Sequence, residues 1–435
     1  MPRILDAAYL SALSLTLPYW IWRSAKTGKY RQGWSERFLG AKPAVDPTRP
    51  RVWIHAVSLG EVVLARQMVD VLSSSRPDLQ LLVSTSTDSG LQVASERIKN
   101  AVSFRAPLDF SWAVERVTDH IAPSLIILTE LELWPHLLLT ARERNVPVCV
   151  INARVSRRSY RGYRRWKKVL APALEAVRWW GAQTDEYADR LRDLVSHPDT
   201  VQVTGSIKYE GSLRDRHDPA VDRMARLLSI ESNDAVWVAG STLGPEESVV
   251  IDVYRSLLRR HPELKLLLVP RHPERFDEVA RLLDQTGIPY ARRSRLQPGE
   301  SALAKVILVD SVGELAQVWG LASVGFVGGS LTGARGGQSM IEPAGFGVPC
   351  CFGPSTSNFK STVEQLLAVD GAKVVTSSRD LEETVGNWFD EPSAARSCGQ
   401  RARSFIESQQ GALQKTMRGV EPFLPRLTRP VRAAS

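Results

Sequence analysis

Short apolar runs alternate with helix-length amphipathic segments along nearly the whole chain, and this alternation constrains the fold more than any other feature. In the first half the runs are VWIHAV, LQLLVS, SLIILT, VPVCVI and WWGAQ; in the second they are AVWVAG, LKLLLVP, KVILVD, VGFVGG and VPCCFG. Runs of this length bounded by turn residues read as parallel strands covered on both faces, with crossover helices between them. The pattern predicts an α/β fold of the doubly wound type. It lapses once, in the charged stretch from Gly205 to Pro219, GSIKYEGSLRDRHDP. A chain of 435 residues is too long for one ordinary core. The lapse therefore marks a boundary between two Rossmann-like domains, residues 41–212 and 213–435, with residues 1–40 set apart. Two such domains imply a ligand cleft between them.

Ala7 to Trp22, AAYLSALSLTLPYWIW, carries no charge and is followed by Arg23, Lys26, Lys29, Arg31 and Arg37. The run is short for a spanning helix and holds Pro18, so it reads as an interfacial membrane-anchor helix with a cytoplasmic basic flank. The alternative is a helix that caps the first domain. Asp6 and the lack of a small-residue cleavage site speak against a cleaved signal peptide. Lys plus Arg exceed Asp plus Glu by 56 to 47, a net charge of +9, which suits an anionic partner. Cys149, Cys350, Cys351 and Cys398 form no CxxC pair, so zinc is not indicated and a reducing compartment is.

The candidate chemistry lies at strand ends. VWIHAV runs through a Ser-Leu-Gly turn to Glu61 at the start of a helix, at a first βα turn that faces the ligand crevice of such sheets. Glu61 suits a general base or an ordinary first-turn acid that complements the helix dipole. Gly60 lets a substrate approach the backbone. Glu130 and Glu132 follow SLIILT two residues apart in an extended turn, so both point toward the same crevice. Ala153 to Lys168, ARVSRRSYRGYRRWKK, holds eight basic residues, no acid, and Tyr160, Tyr163 and Trp166 at every third position. Such a face suits anionic lipid, a phosphorylated acceptor or RNA. In the second half, Arg271 and His272 end a strand, where cations suit an anion. Gly328, Gly329 and Ser330 precede the glycine pair Gly336 and Gly337 and a helix beginning near Met340, turns whose amides can bind phosphate. The spacing matches neither GxGxxG nor a Walker loop. Glu342 is placed to accept hydrogen bonds from a ribose, or to pair with the helix dipole.

Taken in order, HAVSLGE, ELELWPH, NARVSRRS, GSIKYE, AGST, PRHPERF, FVGGS, GGQSMIEPAGFGVP and FGPSTSNF resemble the motif set of the 3-deoxy-manno-octulosonic acid (Kdo) transferases, the lipid A glycosyltransferases, over nearly the whole chain. The resemblance implies a GT-B fold and a metal-independent, inverting transfer from CMP-Kdo to a lipid A precursor, with no cofactor and no nucleic-acid partner. It implies catalytic roles for Glu61, Glu130 and Glu132. It places Ser241, Arg271, His272, Gly329, Ser330, Glu342 and Asn358 on the donor side, and Ser58, Gly60, Arg154 and Arg157 on the acceptor side. It further implies attachment to the anionic cytoplasmic face of a bacterial inner membrane. This chain departs from the motifs at Leu131 (threonine in the family), His136 (asparagine), Gln338 and Ser339 (histidine and asparagine) and Arg157 (an acid).

Two other classes fit part of the pattern. Another GT-B transferase or epimerase acting on a different nucleotide sugar would share the glycine turns and the ribose-binding glutamate. A basic RNA-binding or membrane-scaffolding protein would share the charge, but has no use for glycines and acids gathered at strand ends.

Overall fold

A computed structural model describes residues 5–7, 9–11, 14–16, 33–296, 304–332 and 336–426. The chain divides into two compact units, Met1–Lys208 with Gly411–Ser435, and Tyr209–Gln410. Each is built on one seven-stranded parallel sheet.

In the first unit the strands are β1 (Arg51–His55), β2 (Gln80–Thr85), β3 (Val102–Arg105), β4 (Leu125–Thr129), β5 (Val148–Ala153), β6 (Val177–Ala182) and β7 (Val201–Val203), in the order β3-β2-β1-β4-β5-β6-β7. Alternation along β1 shows why both faces need cover. Val52 and Ile54 join the cluster around Leu64, Met68 and Leu72 of the helix Leu59–Ser75, while Trp53 packs into the opposite cluster with Val114 and Val117. The chain moves to β2 on one side of β1 and later returns to β4 on the other. The β1–β4 boundary is thus the topological switch point, where loops diverge and leave a crevice at the strands' carboxyl ends.

The second unit repeats the plan with β8 (Val236–Thr242), β9 (Lys265–Pro270), β10 (Tyr290–Arg292), β11 (Val306–Leu308), β12 (Val324–Val327), β13 (Cys350–Phe352) and β14 (Ala372–Val374). Their order, β10-β11-β9-β8-β12-β13-β14, puts the switch point between β8 and β12. Trp237 and Phe326 are buried on one face and Trp319 on the other. All four cysteines are free and buried.

Three expectations need correction. Residues after Gln410 do not belong with the second domain: the helix Ala412–Val420 sets Ala412 and Val420 among Val52, Ile54 and Trp179 of the first unit, and Arg76 Nη2 donates to the Pro425 carbonyl at 2.8 Å. Arg37 is not part of an outward basic flank. It is buried, donates to the Ser86 carbonyl at 2.6 Å and pairs with Asp88 at 3.2 Å. The Tyr160–Trp166 face is not uniformly outward either. The helix Arg157–Arg165 stops at Trp166; Tyr160 and Tyr163 pack against the core, and only Trp166 is largely exposed, at 58%.

Of the uncharged run Ala7–Trp22 and its basic flank, residues 17–32 lie outside the described residues. Asp6, just before that run, is buried and accepts from Ser111 N at 2.9 Å and Ser111 Oγ at 2.6 Å, so it occupies the amino end of the helix Ser111–Ile121. The Tyr9 ring meets Phe110 and His136 edge-on, whereas Leu10 and Leu15 are exposed. Among the described residues no helix is long and apolar enough to cross a membrane.

The seating of the carboxyl-terminal helix gives a direct test. A Cβ on Gly419 would lie 2.0 Å from the Trp179 ring. Although leucine is a better helix former than glycine, Gly419→Leu should destabilise the first unit by about 1–3 kcal/mol or more through overpacking. Urea unfolding followed by tryptophan fluorescence measures this, and unchanged stability would remove the helix from this core.

Candidate active site

The first unit gathers its acids at the β1–β4 switch point. Ser58, in extended backbone, is the N-cap of the helix Leu59–Ser75, and Glu61 falls at the third helical position. This is the spacing of a capping box, but the side chains are used differently. Ser58 makes no cap bond to the helix; its hydroxyl donates to Glu61 Oε1 at 2.8 Å. Glu61 Oε2 accepts from Val57 N at 2.9 Å and lies 3.3 Å from Thr129 Oγ1 at the end of β4. The carboxylate, only 5% exposed, is thus fixed by donors from both strands of the switch point. Burial raises its pKa above the ordinary value, opposed by the bonds from Val57, Ser58 and Thr129 and reinforced by the negative charge of Glu130. A carboxylate with a raised pKa is a stronger base than a free one.

Glu130 is held with φ +66 directly after β4, and Asn152 near the end of β5 with φ +53. Non-glycine residues in this region are strained unless their surroundings hold them. Here Glu130 N donates to the Ile151 carbonyl at 2.9 Å, Glu130 Oε1 accepts from Lys208 Nζ at 2.7 Å, and Asn152 Oδ1 accepts from Ile207 N at 3.2 Å. Glu132 is exposed on one side, yet partial burial followed by repulsion from Glu61 and Glu130 lifts its pKa to about 7. The three acids expected from sequence are therefore neighbours: the charge of Glu130 acts on both Glu61 and Glu132.

His55 lies beneath them. Trp53 Nε1 donates to Ser84 Oγ at 2.7 Å, and that hydroxyl lies 2.8 Å from His55 Nδ1. The serine hydroxyl thus links the indole to the imidazole inside the sheet. Burial lowers the pKa of His55 to about 4 and keeps it neutral.

The expected acceptor residues divide. Ser58 faces inward and holds Glu61. Gly60 is exposed, and a Cβ there would meet only Ser58 Oγ, at 3.9 Å, so nothing in the protein itself demands glycine. Arg154 is exposed after β5, and Arg157 pairs on the surface with Glu186 at 3.5 Å. Neither contacts the carboxylate cluster.

In the second unit, Arg271 leaves β9 with its amide bonded to the Thr242 carbonyl at 3.0 Å and its Nε donating to Gln338 Oε1 at 3.1 Å. Burial raises the pKa of Glu342, moderated by the positive charges of Arg214 and Arg271. His272 is partly exposed, with Nδ1 3.8 Å from Glu274. Gly336 and Gly337 have φ of +79 and +76, and Asn358 closes on them: its amide donates to the Gly336 carbonyl at 3.0 Å and its Nδ2 to Gly337 O at 3.4 Å. Arg271, Gln338, Glu342, Gly329, the glycine pair and Asn358 thus form one loop cluster, and Ser241, with φ +57, is the penultimate residue of the adjoining β8.

The first glycine turn is not the open amide cradle expected from sequence. Glu246, fully buried at the start of the helix Glu246–Leu257, accepts from Gly329 N at 2.6 Å, Ser330 N at 2.9 Å and Leu331 N at 2.8 Å, so these amides already hold an anion. Ser330 is buried too, its hydroxyl donating to the Val327 carbonyl at 2.5 Å and accepting from Gly353 N at 2.8 Å. It supports the loop and turns no polar group outward.

Sequence reasoning assigned no role to Thr129, Asn152, Lys208 or Glu246. For Glu246 a signal was present: AGSTLGPEE repeats the strand–turn–first-turn-acid pattern of HAVSLGE. Asn152 and Lys208 fall within the motifs NARVSRRS and GSIKYE, but their roles here come from partners at other strand ends.

A family profile described as 3-deoxy-D-manno-octulosonic-acid transferase (kdotransferase) matches residues 32–211. The chain is 33% identical to the 3-deoxy-D-manno-octulosonic acid transferase of Haemophilus influenzae, covering 93% of this chain and 94% of the relative. It is 32% identical to the enzyme of that name from Bordetella pertussis, covering 95% and 98%. Among solved structures, UDP-GlcNAc 2-epimerase from Neisseria meningitidis superposes with a TM-score of 0.51 at 13% identity, covering 86% of this chain and 99% of that one, a likeness of GT-B fold alone. With similarity of that extent to the transferases, end to end and with both sheets in place, the chain belongs to the 3-deoxy-D-manno-octulosonic acid transferase family.

Proposed function

We propose that this glycosyltransferase moves Kdo from CMP-Kdo to a hydroxyl of a lipid A precursor, with inversion and without a metal, and that Glu61 is the general base. The observation that carries this reading is the placement of Glu61: buried, held by Val57 N, Ser58 Oγ and Thr129 Oγ1, with a raised pKa, at the switch-point crevice of its sheet. As the acceptor oxygen bonds to the donor's anomeric carbon, its proton passes to Glu61, and the bond to the CMP phosphate breaks with its electrons leaving on CMP. Glu130 and Glu132 shape the field in which Glu61 titrates, and the Lys208 cation offsets part of it. On the donor side, Arg271 meets the departing phosphate and Glu342 the ribose, with Ser241, His272, Gly329 and Asn358 around them. Gly60, Arg154 and Arg157 serve the acceptor.

The test is incubation of purified protein with CMP-Kdo and lipid A precursor in excess chelator, with products weighed by mass spectrometry. Turnover should survive the chelator. Glu61→Gln, which keeps shape but cannot take a proton, should lower turnover by roughly 100-fold or more while CMP affinity and thermal stability stay near wild type. Near-normal turnover would remove Glu61 as the base.

Membrane attachment through the amino-terminal stretch belongs to the same proposal. Asp6 and Tyr9 engage the first unit, while Leu10 and Leu15 are exposed, so one side of this stretch is available to lipid. Paired Leu10→Glu and Leu15→Glu substitutions should reduce flotation with anionic vesicles while changing thermal stability by far less than burying a charge would, because both side chains are exposed, Leu15 at 83%. Undiminished flotation would place the lipid contact elsewhere.

A further inference from the structure

We propose that Glu246 is a positioning residue for the donor: its carboxylate fills an amide nest and thereby sets the loop against which Arg271 is held. The inference rests on the second unit's being the donor unit.

The nest draws on both sides of the β8–β12 switch point. Glu246 Oε2 accepts from Leu243 N, after β8, at 3.0 Å and from Gly329 N, after β12, at 2.6 Å; Oε1 accepts from Ser330 N at 2.9 Å and Leu331 N at 2.8 Å. Glu246 is 0% exposed, so no water substitutes for a lost acceptor, and four amides would compete for whatever replaced it. Successive backbone amides that converge in this way form an anion site, and here the chain supplies the anion itself.

The loop so fixed is coupled to the candidate donor contacts. Gly329 takes φ +67, and its carbonyl accepts from Gly337 N at 2.9 Å. A Cβ on Gly329 would stand 3.2 Å from Gln338 Cγ, so Gln338 lies against the loop. Gln338 in turn accepts from Arg271 Nε at 3.1 Å. Crowding leaves the turn little alternative path, since a Cβ on Gly328 would fall 2.5 Å from Thr242 Cα. A one-charge change at Glu246 therefore propagates through Gly329 and Gln338 to the guanidinium, without Glu246 touching the ligand.

Glu246→Gln keeps the shape but turns an NH2 toward amide donors. CMP binding by calorimetry, donor KM, kcat and acceptor KM would be measured well below the unfolding temperature. Val250→Ala, a cavity variant in the same helix with Val250 fully buried, supplies a control that destabilises the helix without touching the nest. The expected result for Glu246→Gln is CMP affinity weakened and donor KM raised about tenfold or more, with kcat at saturating donor within about threefold of wild type and acceptor KM unchanged, while Val250→Ala leaves donor KM alone. Equal effects in the two variants, or unchanged CMP affinity in Glu246→Gln, overturn the proposal. If Glu246→Gln does not fold, Glu246→Asp, which keeps the charge but withdraws it, takes its place, and failure of both to fold overturns a positioning role in favour of a purely structural one. Wild-type protein that does not bind CMP contradicts the donor reading itself, whereas wild-type binding with an unaffected variant contradicts only this inference.

Discussion

Each sheet turns on one parallel strand pair from which the chain departs in opposite directions, β1 with β4 and β8 with β12. Divergence leaves main-chain amides at the strands' carboxyl ends with no ladder partner, and such amides must be paired when buried. This protein answers the demand twice with a glutamate from the first turn of the following helix. Glu61 takes Val57 N with help from Ser58 and Thr129, and Glu246 takes four amides. The same device has opposite consequences. Glu246 is saturated and buried, so it holds a loop; Glu61 keeps acceptor capacity beside exposed Gly60, so it can receive a proton.

Like charges gathered around Glu61 come at a cost to the fold. Glu130 and Asn152 sit in left-handed backbone, and Glu132 titrates near 7 because of burial and its acidic neighbours. A carboxyl whose pKa is raised on folding opposes folding as pH climbs through the range between its unfolded and folded values, here from the ordinary glutamate range to about 7. Lys208 Nζ at 2.7 Å and Asn152 Nδ2 at 3.4 Å from Glu130 Oε1 offset part of that repulsion. Strain and charge concentrate at the β1–β4 switch point, where the proposed base sits, while the apolar faces of both sheets carry the stability.

Central strands were legible in the sequence because they are buried on both faces and so read as unbroken apolar runs. The strands that escaped were β3, β7, β10 and β14, which are the edges of the two sheets. They span three or four residues and mix polar with apolar side chains, as in VSFR and YAR, so periodicity has nothing to register. The return of residues 411–426 to the first unit was invisible for another reason: its helix is amphipathic in the usual way, and the residues that receive it, Trp179 against Gly419 and Arg76 against the Pro425 carbonyl, lie far away in sequence. At the site, the acids were legible because glutamates close behind buried strands stand out, and the family resemblance implied roles for them. What each acid touches was not, since Thr129, Asn152 and Lys208 arrive from separate strand ends, and the phosphate cradle expected at Gly329 and Ser330 is filled from within by Glu246.

The central claim is that Glu61, with its pKa raised in part by the charge of Glu130, takes the acceptor's proton. The pH dependence of kcat/KM, measured for the wild type and for Glu130→Gln, tests it most directly. The account predicts an acid limb in the wild type, with activity rising with pH through a midpoint above the ordinary glutamate value. In Glu130→Gln that midpoint should fall, because a negative neighbour is gone and the Lys208 cation is released. A midpoint that stays in place or rises, or an identical limb that persists in Glu61→Gln, would contradict the account.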